Sequence, residues 1–161
     1  MTTADENAEF EKRYGCDADT LFRSIGNFVF NFSRFEDVVR GRVIECLQLD
    51  ENRRRIVMPA MDFAFMVRAC KQLFAMKFKS EPEKLAELYK ILDAGFEINQ
   101  SRIQVAHGSW YMNRPAGFAV HTSRNTFQET EYFTKPGELD ALAERLIKMR
   151  HRLWELASDS A

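Results

Sequence analysis

The sequence predicts an all-α protein, a four-helix up-and-down bundle with a small β-hairpin inserted between its third and fourth helices. Three observations lead there. Apolar residues recur at spacings of three and four over most of the chain. Gly and Pro, with turn-forming neighbours, interrupt those stretches at only a few points. One region, residues 118–133, instead carries short extended runs around Ser123-Arg124-Asn125.

Length and composition bound the reading. The chain has 161 residues, long enough for one domain with a core and short for two. Hydrophobic residues make up 45%, which excludes a disordered chain. Fourteen Phe and seven Met predict a loosely specified core, because Met fills gaps flexibly. A formal charge of −1 gives no global pull toward nucleic acid, so RNA affinity must rest on a local patch. Cys16, Cys46 and Cys70 are odd in number and lack metal-ligand spacing, which predicts free thiols in a reducing compartment. The start of the chain is acidic and polar, unlike a secretory signal, and no apolar run suits a bilayer. A cytoplasmic protein without cofactor, metal or membrane association is expected.

Residues 1–16 have little periodicity and predict a flexible tail, followed by one helical domain over 17–158. Asp17 and Asp19 suit the N-cap of a first helix. Ile25, Phe28, Val29, Phe32, Phe35, Val39, Val43 and Leu47 mark its apolar stripe, with Glu36 beside the stripe. Glu36 reads either as a solvated flank or as a carboxylate that orients an arginine of the site. Asp50 to Arg55 reads as a polar connection whose three arginines are a solvated turn or a phosphate contact.

Pro59 suits the first turn of a second helix to about Phe78, with Met61, Phe65, Ala69, Leu73 and Met76 as its buried face. Ser80, Pro82 and Glu83 form the start signal of a third, Ser80 as N-cap and Glu83 as its capping-box partner. Leu85, Leu88, Leu92, Phe96, Ile103 and Ala106 form its stripe, with Asn99 on the same face. That helix should end at His107, with Gly108 as a left-handed cap. The segment after Gly108 reads as extended. Thr134 to Glu138 open a last helix, whose Leu139, Leu142, Leu146, Met149, Leu153 and Leu156 make an unbroken seam. Trp154 lies beside that seam as a candidate dimer contact.

The chemistry gathers in residues 99–110. Arg102 and His107 stand there among Asn99, Ser101, Gln104 and Ser109. A histidine exchanges protons near neutral pH, and an arginine holds two phosphate oxygens in its fork. Together they suffice to cleave RNA without metal: the imidazole takes the ribose 2′-OH proton and the guanidinium stabilises the phosphorane. Five residues apart on a helix, the two point about 140° away from each other. A two-fold dimer would supply both from two copies, with the second acid. The plainer reading is structural, with the histidine capping the last carbonyls of the helix.

Arg102-Ile103-Gln104-Val105-Ala106-His107-Gly108, followed by Trp110, resembles the R-x4-6-H signature of the HEPN superfamily. The position of the segment at the end of the third long helix, and Phe35-Glu36 in the first, add to the likeness over residues 20–156. The resemblance implies a homodimeric, metal-independent endoribonuclease, a toxin or antiphage-defence effector, with Arg102 and His107 catalytic and an antitoxin or regulatory protein as partner. The sequence departs from the family at Ile103, where active members carry a polar residue. It also has Ser109 where some members carry a nucleotidylated Tyr, so that regulation is not expected. Asn99, Ser101, Gln104, Ser109 and Glu36 are the supporting candidates. The alternative is a non-catalytic RNA- or nucleotide-binding, or protein-interaction, module.

Overall fold

Carboxylates start three of the helices. Asp17 caps the first: its Oδ1 accepts from the Asp19 amide at 3.1 Å, and its Oδ2 from the Thr20 hydroxyl. The Thr20 bond holds the Asp17 carboxyl below the ordinary carboxylate range. Asp50 accepts from the Arg53 amide at 3.0 Å, and Asp62 from the Phe65 amide at 2.7 Å. The computed structural model describes residues 5, 8–9, 17–112, 117–122 and 127–158, of which 76% are helical. In order they form α1 (Ala18–Cys46), α2 (Glu51–Val57) with a 3-10 turn (Met58–Ala60), α3 (Phe63–Lys77) and α4 (Pro82–His107). Strands β1 (Ser109–Tyr111), β2 (Phe118–Thr122) and β3 (Glu129–Tyr132) precede α5 (Glu138–Ser158).

The expected four helices and hairpin thus become five helices and a three-stranded antiparallel sheet, order β1-β2-β3, among the described residues. The expected tail, 1–16, lies outside them apart from residues 5, 8 and 9, as does the hairpin turn at 123–126. The chain forms two compact units, residues 1–30 with 100–144, and residues 31–99 with 145–161.

In the second unit the core is aromatic. Phe32, Phe35 and Phe63 are buried, with ring centroids 5.0 Å apart for Phe32–Phe63 and 6.2 Å for Phe35–Phe63. The Phe35 ring lies against Gly95 so closely that a Cβ there would overlap it. Leu146, Met149, Leu153 and Leu156 of α5 are buried as the seam foretold. Exposed ion pairs tie the surfaces: Arg152 grips both Glu87 oxygens at 2.6 and 2.9 Å, and Lys71 meets Asp93 at 2.7 Å. The Arg152 hydrogen bond lowers the Glu87 carboxyl from its ordinary value. In the first unit, Leu21, Phe28, Leu139 and Ala143 are buried, and the Ser24 hydroxyl donates to Asp140 at 2.7 Å.

Three local expectations are corrected. The basic triplet is not an open connection: it lies in α2, where its three arginines pair with the two carboxylates of Asp50 and Glu51. Arg53 meets Asp50 at 3.3 Å, while Arg54 and Arg55 meet Glu51 at 2.6 and 3.0 Å. The third helix of the sequence reading starts one residue late for Ser80 to cap it. Pro82 is the first helical residue, so Glu81 holds the cap position.

The buried face of α3 is also different. Pro59 sits in the 3-10 turn, and α3 starts at Phe63 behind Asp62. Phe63, Met66, Val67, Cys70 and Phe74 face the core, while Phe65 and Met76 are exposed. Apolar residues surround this helix, so periodicity alone could not choose a face. Val29 on α1, Leu47 just past its end, and Phe96 and Ala106 on α4 are likewise exposed rather than in the stripe.

The end of α1 is a Schellman motif on the wrong residue. Gln48 has φ +52°, its amide bonds Glu45 O, and the Leu49 amide bonds Ile44 O, each at 3.0 Å. Glycine takes this conformation without a Cβ penalty. Gln48→Gly is therefore expected to raise stability by about 0.5–1 kcal/mol, read as a higher urea midpoint with an unchanged m-value. An unchanged or lower midpoint contradicts this account of the cap.

Candidate functional site

His107 is the last residue of α4, and the chain turns into β1 two residues later. Gly108 makes that turn, but not as a left-handed cap: among the described glycines only Gly117 and Gly137 have positive φ. The Gly108 amide closes the last helical turn on Gln104 O at 2.8 Å. A Cβ at Gly108 would lie 2.5 Å from that same oxygen and 3.2 Å from Ala119 Cβ on β2. Close approach, not left-handed backbone, is what glycine supplies here.

Trp110 does the capping that the sequence reading gave to Gly108 or His107. Its indole N–H donates to the Val105 carbonyl at 3.1 Å, satisfying one of the four orphan acceptors of the helix end. Its ring stacks on Phe133 at 5.9 Å with planes 13° apart. The strand register follows, Ser109↔Val120, Trp110↔Ala119 and Tyr111↔Phe118. The His107 side chain is exposed and makes no hydrogen bond to another described residue. The capping reading of this histidine therefore lacks support.

Within the first unit, Ser101, Arg102, Ile103 and Gln104 are half-buried, Val105 is buried, and Ser109 is exposed. Both Arg102 and His107 lie in regular helix, so they are offset by about 7–8 Å along the axis and about 140° around it. One copy of the chain does not bring them to one face. Ile103, expected toward the core, is half-buried.

The other two candidates belong to the second unit. Asn99 is 8% exposed, in keeping with its predicted place on the apolar face. Glu36 is half-buried and spends its carboxylate on Arg40, one turn along α1, at 3.3 Å. Its partner is an arginine of its own helix.

Sequence reasoning missed His121. It follows Val120, the register partner of Ser109, and pairs with Thr130 on β3, so the sheet carries a second, half-buried imidazole to the strand position next to the end of α4. Only the β1–β2 register reveals this, and β1 is too short to read from alternation. Among the described residues no three His, Cys, Asp or Glu group together as metal ligands. Cys46 and Cys70 are free thiols, both pushed up by burial, Cys70 to about 12. No helix of the described residues is long and apolar enough to cross a membrane.

No family model, no curated protein and no solved structure matches this chain.

Gly108→Ala is expected to cost about 1–3 kcal/mol in urea denaturation, because either the Gln104 carbonyl or β2 must move to admit the methyl group. Unaltered stability would show that the turn after His107 is not held closely by the sheet.

Proposed function

We propose that the protein is a metal-independent endoribonuclease of HEPN type, acting in the cytoplasm as a homodimeric toxin or defence effector under an antitoxin or regulatory protein. The placement of His107 carries this reading. Its side chain stands exposed and without a hydrogen-bond partner among the described residues, on the last residue of a helix whose end Trp110 already caps, five residues beyond Arg102. A structural histidine would be expected to bond the helix end, and this one leaves that task to another side chain.

The chemistry follows from the residue types. Neutral His107 removes the proton from a ribose 2′-OH, and the 2′ oxygen attacks the adjacent phosphorus. The Arg102 fork offsets the charge growing on the phosphorane oxygens. The P–O5′ bond breaks, the 5′ oxygen takes a proton from a second imidazole, and a 2′,3′-cyclic phosphate remains. Because Arg102 and His107 diverge around α4, the reading calls on two copies of the chain, each giving its arginine to the other's histidine. Phe22, Val29 and Phe30 of α1 in the same unit are exposed and offer apolar surface for such a pairing.

A second reading, a non-catalytic RNA- or nucleotide-binding or protein-interaction module, is favoured by one residue. Ile103 stands beside Arg102 where a polar group would help to hold the phosphate.

Purified protein is expected to cleave mixed-sequence single-stranded RNA in EDTA, leaving 2′,3′-cyclic phosphate ends. His107→Ala is expected to lower the rate roughly 10²–10⁴-fold while size-exclusion chromatography still reports a dimer. RNA left intact by the wild type moves the assignment to the non-catalytic module.

A further inference from the structure

Trp154 is 58% exposed on α5, yet it is held in place. The Arg42 guanidinium lies over its ring at 4.4 Å from the centroid. Arg42 is only 6% exposed; it meets Glu45 at 2.7 Å, and its Nε has no hydrogen-bond partner among the described residues. Burying an incompletely bonded guanidinium is costly, and an apolar side chain would pack that position more favourably. What the arginine contributes is a support beneath an indole that stays more than half open to solvent.

The groove beside Trp154 is lined by Arg34 and Val38 of α1 and by Arg150, His151 and Glu155 of α5. All belong to the second unit. Glu155 is the one acid of this lining, and it is engaged with Arg152 at 3.4 Å. Arg34 and Arg150 have no acidic partner among the described residues; the one hydrogen bond of the Arg150 side chain among them is to the neighbouring His151 ring, at 3.3 Å. The surface is therefore an aromatic platform flanked by uncompensated guanidinium groups.

We infer that this groove binds single-stranded nucleic acid, a base stacking on Trp154 while Arg34 and Arg150 take the adjoining phosphates. A stacking face is tolerant of sequence, and the guanidinium forks suit phosphate. A second copy of the chain is the poorer occupant. Two-fold pairing would set this cationic patch against itself, with its only carboxylate already taken. A polyanion meets no such repulsion. The overall charge of −1 is no obstacle, since the cations are local. The inference adds a surface to the ribonuclease reading without resting on cleavage, because stacking and phosphate contacts need no 2′-hydroxyl.

The test uses the full chain and a fluorescein-labelled oligothymidylate, which cannot undergo 2′-OH cleavage, with anisotropy measured at low salt in EDTA. Trp154→Ala is expected to weaken binding roughly tenfold, and Trp154→Phe to keep most of it. Arg34→Gln and Arg150→Gln should each weaken binding and lower the log–log salt slope by about 0.7. Thermal melts by circular dichroism check that each variant is folded. Absent binding by the wild type, or equal binding by Trp154→Ala, overturns the inference. So does a wild-type dimer that binds no oligonucleotide and is split by Trp154→Ala, which would make the groove an interface between copies. Oligothymidylate binding by a protein that leaves RNA intact supports the groove and removes only the ribonuclease reading.

Discussion

Between Pro82 and His107 the backbone of α4 turns as regular helix without a break, and Gly95 gives it the flat side on which the Phe35 ring rests. That contact tolerates no side chain larger than hydrogen on α4. It fixes the rotation of the helix in the second unit, and with it the face that Leu88, Leu92 and Asn99 bury. The helical repeat continues to His107, so the side chains of the last turns of α4 keep fixed directions relative to one another. The divergence of Arg102 and His107 is thus a consequence of regular backbone, and it is the reason the proposed site draws on a second copy.

The turn after α4 shows how local chemistry satisfies a helix end without the side chain of its last residue. The last carbonyls of a helix need donors. Here Gly108 supplies its amide and Trp110 its indole N–H, and Phe133 clamps the indole. The histidine at the helix end is then released from structural duty. A similar division holds at Trp154, where a buried arginine supports an exposed ring. In both places an aromatic residue and a polar contact fix a geometry that hydrophobic burial alone would not choose.

Much of the helical content was legible because it rests on short-range signals. Asp17 at an N-cap and the seam from Leu139 to Leu156 act within a few residues, and the structure keeps both, except that Leu142 of the seam is only half-buried. The face of α3 was not legible, because Phe65, Met76, Met66 and Phe74 compete and only tertiary packing decides among them. The short helix α2 was hidden behind its arginines, whose partners Asp50 and Glu51 read as part of a loop. At the candidate site, the residue types at 102 and 107 were plain, and so was the end of the helix at His107. The capping role of Trp110 and the position of His121 were not, since a three-residue strand leaves no periodicity and its register is a long-range property.

The central claim is that the site is shared between two copies of the chain. Mixing two inactive variants, Arg102→Ala and His107→Ala, tests it most directly. After denaturation and refolding together, half of the dimers should carry one variant of each kind. Each such dimer holds one intact Arg102–His107 pairing across its interface but lacks the other copy's His107 as acid, so RNA cleavage should return well above that of either variant alone, to at most about a quarter of the wild-type rate. A mixture as inactive as either variant alone, with mixed dimers demonstrated by mass spectrometry, would contradict the account.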